Sequence, residues 1–144
     1  KYSILKQSIG GDIIFDFEKS ISFEGDSGPY LQYSYVRAVS VGQKAKGERI
    51  KPSLKKVPAE ITQLEKMMVR FPEIIEKAGA EYEPHGIALY LTELAREFNN
   101  YYAHHKIVDK ADEFSPYRLA LTQAFSIIMK NGLWLLGIQV PDKM

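Results

Sequence analysis

Gly28-Pro29-Tyr30-Leu31-Gln32-Tyr33, with Arg37 one turn further on, opens the first long helical run of this chain, 28–46. Its counterpart, Ser115-Pro116-Tyr117-Arg118-Leu119-Ala120-Leu121, opens the last stretch, 115–144. That stretch closes through Gly132-Leu133-Trp134-Leu135-Leu136-Gly137-Ile138 and ends Val140-Pro141-Asp142-Lys143-Met144. In both runs a turn residue precedes proline, which suits the first helical turn because the N–H it lacks has no intrahelical partner there. Leu31, Tyr35, Ala38 and Val39 recur at three and four, which predicts a buried face. Tyr30, Tyr33, Arg37 and Ser40 recur at the same spacing on the neighbouring face. Two tyrosines and an arginine along one stripe can stack on and neutralise a single-stranded nucleic acid. They can equally form a second packing face with an arginine whose charged end reaches water.

Working outward, residues 1–25 read as an entrance segment. Within it Asp12-Ile13-Ile14-Phe15-Asp16-Phe17 is a candidate short strand or extended leg behind Gly10-Gly11. Phe23-Glu24-Gly25-Asp26-Ser27-Gly28-Pro29 is a turn. After the first long helix, 44–56 is a polar, basic surface linker broken by Gly47 and Pro52. An amphipathic helix is expected over 58–70, with Ile61, Leu64, Met67 and Met68 on one side. Pro72 opens a short helix ending at Gly79, and Pro84 opens the strongest one. There Ile87, Tyr90, Leu91, Leu94, Ala95, Phe98 and Tyr102 repeat at three and four, and Asn99, Tyr101, Tyr102, His104 and His105 bunch at its end. Ser115 is expected to cap the last helix, and Asn131-Gly132 to end it. The short connections predict an all-α, antiparallel bundle of four or five helices.

The totals bound the function. A chain of 144 residues, 45% hydrophobic and 26% charged, is one globular domain with a real core. A formal charge of +1 means that any nucleic acid must be held by a local patch. With no cysteine there is no disulfide, thiolate metal site or cysteine nucleophile, which fits the cytoplasm. His104 and His105 are sequence neighbours, which point about 100° apart on a helix and chelate one metal poorly. No apolar run approaches the roughly 18 residues of a membrane span. No glycine-rich phosphate loop or paired catalytic set is present, so no catalytic residue, metal ligand or cofactor is assigned. The first residue is Lys1, and the chain reads as the C-terminal piece of a longer protein.

Taken together and in order, the pieces 12–17, 23–33, Leu94-Ala95-Arg96-Glu97-Phe98-Asn99-Asn100-Tyr101-Tyr102, Tyr117–Leu121 and 131–144 resemble the C-terminal part of an arginyl-tRNA synthetase. The likeness covers nearly the whole chain. It implies an anticodon-binding bundle of the DALR type found in class I synthetases, spanning 26–144. Residues 1–25 would then be the stem leading out of an upstream catalytic domain. It further implies a parent ligase that joins arginine to its tRNA using ATP and magnesium, with the ATP-handling motifs in the upstream domain. Its partners would be an arginine-specific tRNA and that catalytic domain, with no membrane.

The resemblance also assigns residues. Tyr30 and Tyr33 match the aromatic pair that contacts the anticodon loop, and Arg37 matches a position used for the phosphate backbone. Tyr102 and the terminal Met144 match positions facing the same loop. Gln32, Asn99, Arg118 and Trp134 match motif positions whose roles are less defined; of these Asn99 and Arg118 are assigned to tRNA binding, and Trp134, like Phe98, is read as core. Tyr117 stands where the family often has alanine or aspartate before the arginine, and Ser34 replaces a common alanine. The alternative function is a helical protein-interaction module on the same fold that does not bind RNA, favoured by the weak net charge.

Overall fold

Ser27 starts the first long helix, α3 (Gly28–Gly47), by accepting a hydrogen bond from the Tyr30 N–H, with Pro29 in the first turn. The computed structural model describes residues 1–10, 13, 16–23 and 25–144, and among these every regular element is an α-helix. Two single-turn helices, α1 (Tyr2–Leu5) and α2 (Phe17–Ile21), precede α3. Then come α4 (Gln63–Val69), α5 (Phe71–Glu81), α6 (His85–His104) and α7 (Ser115–Leu135). No helix among the described residues is long and apolar enough to cross a membrane.

The bundle is built on α3, α6 and α7. Gln32 near the start of α3 donates to the Gln139 carbonyl beyond α7, while Ser53 beyond α3 donates to the Pro116 carbonyl at the start of α7. These two helices are therefore antiparallel. On α6, Thr92 lies beside Asp26 just before α3 and Asn99 reaches Tyr30 and Arg37, so α6 runs alongside α3 in the same sense. Leu31, Ala38, Val41, Leu91, Leu94, Ala95, Phe98, Phe125, Met129 and Leu133 fill the space between them. Phe98 and Phe125 stack with ring centroids 3.9 Å apart. The expectation that Phe98 is core holds; Trp134 is instead 74% exposed, because the same turn of α7 turns Leu133 and Leu136 inward.

Several boundaries differ from the sequence expectation. The helix expected over 58–70 starts only at Gln63, because Thr62 and Glu65 form a reciprocal capping box, and Ile61 is left exposed. Helix α5 runs past Gly79 and ends where Tyr82 takes a left-handed backbone, φ 57°. Helix α7 runs through Asn131-Gly132 because Gly132 serves packing: a Cβ there would lie 2.6 Å from a Leu91 methyl. The left-handed glycine is Gly137, φ 66°. The Gly137 N–H donates to the Trp134 carbonyl and the Ile138 N–H to the Leu133 carbonyl, the double bond pattern of a Schellman cap. Ser115 does not cap α7; its hydroxyl donates to the Ile107 carbonyl and accepts from the Asp109 N–H.

The entrance segment is fastened to the bundle. Tyr2 is buried, and its hydroxyl donates to the Asp26 carboxylate and meets the Thr92 hydroxyl. Lys6 pairs with Asp26 at 3.0 Å, and Lys1 donates to the Gly137 carbonyl. Of the expected strand or leg, Asp12, Ile14 and Phe15 lie outside the described residues, and Phe17 begins α2 behind the capping Asp16. Glu24 of the expected turn also lies outside them.

Candidate nucleic-acid interface

The helical repeat of α3 sets Tyr30, Tyr33 and Arg37 on one stripe, three and four residues apart. Helix α6, running beside it, brings Asn99 and Tyr102 to the same height. The tail completes the arrangement. Gly137 turns the chain back, Gln32 holds the Gln139 carbonyl at 2.7 Å, and Ile138 and Val140 pack against the core. Met144 is thereby delivered to a groove of about 360 Å³ that it lines with Tyr33, Val36, Arg37, Ser40, Val41, Lys44 and Tyr102. Tyr33 is 38% exposed, Tyr102 41% and Met144 51%, so the groove presents aromatic and thioether surface to solvent.

At its centre lies the Arg37 guanidinium, 4.7 Å from the Tyr33 ring centroid and 5.1 Å from that of Tyr102. Its Nη1 donates to Asn99 Oδ1 at 2.6 Å and its Nη2 to the Tyr33 hydroxyl at 2.8 Å. Asn99 Nδ2 in turn donates to the Tyr30 hydroxyl at 3.0 Å and to Ser34 Oγ at 2.9 Å. Ser34, buried, donates onward to the Tyr30 carbonyl. Arg37 makes no ion pair with a carboxylate among the described residues, so its charge is offset only by ring faces and neutral oxygens. A half-buried, uncompensated cation flanked by exposed rings suits a flexible polyanion with flat bases.

The groove continues past Lys44 and Tyr102 into a hollow lined by His105, Lys106, Ile107 and Val108. A larger hollow of about 640 Å³ lies between α4, α5 and α6, but Arg70, Glu93, Arg96 and Glu97 make its wall mixed in sign. Among the described residues no three His, Asp or Glu side chains converge as a metal site requires.

Six of the seven residues assigned from sequence, Tyr30, Tyr33, Arg37, Asn99, Tyr102 and Met144, thus lie in one cluster. Arg118 does not join them. It donates to the Lys106 carbonyl and pairs with Asp112, stapling the α6–α7 connection. The Phe114 backbone N–H, and then Arg118, hold the Asp112 carboxyl below the usual carboxylate range. Sequence reasoning did not single out Lys44, which it placed in the linker, nor Ser34 as a hydrogen-bonding residue. The only available signal for Lys44 was its spacing of seven from Arg37, two turns along the same stripe.

Residues 31–144 match the DALR anticodon binding domain family. The arginine–tRNA ligase of Pyrococcus abyssi is 38% identical over 149 residues, covering all of this chain and 24% of that protein. The arginine–tRNA ligase of Limosilactobacillus reuteri is 44% identical over 131 residues, covering 90% of this chain and 23% of that protein. The chain thus spans about a quarter of the length of the curated relatives it matches. Among solved structures, arginyl-tRNA synthetase of Thermus thermophilus superposes with a TM-score of 0.79 at 32% identity, over 99% of this chain and 25% of that one. The Plasmodium falciparum enzyme gives a TM-score of 0.80 at 26% identity, over 99% of this chain and 26% of that one.

Proposed function

The chain belongs to the family of DALR anticodon-binding domains, and from that premise we propose that its groove between α3, α6 and the tail receives the anticodon loop of an arginine-accepting tRNA. Tyr33 and Tyr102 stack on unpaired bases, Arg37 meets backbone phosphate, and Met144 closes the end of the groove as an apolar wall. Lys44 adds a second cation beside Arg37. The observation that carries this reading is the meeting of Tyr33, Arg37, Tyr102 and Met144 in one groove, from two helices and a tail that together span more than a hundred residues of sequence. Ring stacking contributes about 1–3 kcal/mol per base, and the cations add a salt-dependent term.

In this reading the bundle 26–144 serves a longer arginine–tRNA ligase of the cytoplasm. The joining of arginine to tRNA, with ATP and magnesium, takes place in its catalytic domain. Segment 1–25 is the stem toward that domain. Ile4, Ile9, Ile13, Phe17, Ile21 and Phe23, all exposed, support this, since they offer apolar surface for an adjoining domain to cover.

Titrating the chain with arginine tRNA, and with the same tRNA carrying replaced anticodon bases, tests the reading. It expects at least about tenfold tighter binding of the native anticodon, as the loss of one base-edge contact implies, since stacking on the rings alone tolerates any base. Equal affinities at low salt would overturn it.

A further inference from the structure

Asn99 sits among the tRNA-binding positions, yet its amide is already engaged inside the protein. Both Nδ2 hydrogens are donated, to the Tyr30 hydroxyl and to Ser34 Oγ, and Oδ1 accepts from Arg37. One acceptor lone pair remains. That is too little for the two-point contact by which an amide side chain recognises a base edge. The groove-lining residues include Arg37, Tyr33 and Tyr102 but not Asn99. Its partners Tyr30 and Ser34 are themselves packed at the base of α3, and Ser34 is fully buried. The amide therefore faces Arg37 from a fixed support.

We propose that Asn99 is a positioning residue: anchored by Tyr30 and Ser34, it holds the Arg37 guanidinium between the Tyr33 and Tyr102 rings and acts on RNA only through Arg37. This rests on the reading of the groove as an anticodon site. A free arginine samples many rotamers and must be immobilised when it meets a phosphate; an arginine already fixed by a neutral acceptor loses less. Asparagine suits the task better than aspartate, because a carboxylate would fix the cation and also cancel the charge that the RNA backbone requires. Tyr102 lies three residues beyond Asn99 on α6, so one helical turn supplies both the anchor and one of the rings.

A double-mutant cycle on the 144-residue chain tests this, with a stem-loop RNA carrying the arginine anticodon as the ligand. Asn99→Leu alone is expected to weaken binding about threefold to tenfold. In the Arg37→Gln background it is expected to change nothing further, because the group it acts through is gone. Losses that multiply would show that Asn99 touches the RNA itself and would overturn the proposal. The RNA-free chain gives an independent readout in the Arg37 guanidinium NMR signals. These are expected to be ring-shifted and slowly exchanging in the parent and averaged in Asn99→Leu; unchanged signals would also overturn it. Should Asn99→Leu fail to fold, Tyr30→Phe with Ser34→Ala frees the amide from the far side, and the same two measurements apply. If the parent chain shows no preference for the arginine anticodon, the functional reading fails while the NMR signals still decide the role of Asn99.

Discussion

Arg37 is held by two ring faces and an amide, and the contrast with Arg118 shows what a partner does to a cation. Both arginines follow helix-opening tyrosines, but Arg118 is matched to Asp112 and a carbonyl, whereas Arg37 meets no carboxylate among the described residues. Arg118→Ala is accordingly expected to lower the thermal midpoint while leaving the affinity ratio between native and replaced anticodons unchanged; a changed ratio would return Arg118 to the interface. Arg37→Gln should reduce the slope of log affinity against log salt by about one, the signature of a lost phosphate contact. Tyr33→Ala should weaken RNA binding by about 1–3 kcal/mol. Because the Tyr33 ring is partly exposed, it should shift folding stability by less than about 1 kcal/mol, as urea melts of the chain would show. The stripe of Tyr30, Tyr33 and Arg37 was legible in the sequence because it follows a local period. The Asn99 network was not, since its bonds join residues 62 to 69 positions apart and no spacing encodes them.

At the scale of single helices, the ends depended on tertiary contacts. Asn131-Gly132 has the composition of a helix end, yet Gly132 lets α7 approach Leu91 on α6, and the left-handed role falls to Gly137. Alanine at a helical site should gain up to about 1 kcal/mol over glycine. Overpacking against the fully buried Leu91 should cost about 1–3 kcal/mol. Gly132→Ala is therefore expected to destabilise the chain in denaturant melts, and a stabilised variant would refute the packing role. Helix α4 is fixed to α7 by Glu65, which closes the Thr62 capping box and accepts from the Tyr117 hydroxyl. Burial works to raise the Glu65 carboxyl, but the bonds from Tyr117 and Thr62 outweigh it and hold it below its ordinary range. A depressed carboxyl stabilises the fold above its unfolded value of about 4.3 and loses that contribution as acid protonates it. The melting temperature should thus fall as pH drops below about 5, and more gently in Glu65→Gln.

For the whole molecule, the groove follows from helix directions. An antiparallel α3–α7 pair returns the chain end to the start of α3, and α6 alongside α3 places its own end where that tail arrives. Periodicity made the helical bundle legible, whereas the meeting of the tail with α3 came from the family resemblance, because 137–144 carries no regular pattern of its own. Trp134 was misread as core for a related reason: apolar residues surround it in sequence, and only the packing of Leu133 and Leu136 shows which way the helix faces. The chain's four methionines offer the most direct test of the assembled groove. Met68 and Met129 are buried, Met67 packs against the core, and Met144 lines the groove. Methionine methyl NMR during titration with an arginine anticodon stem-loop should shift the Met144 signal first and furthest, with Met68 and Met129 unmoved. Saturable binding that leaves Met144 unshifted would contradict the account.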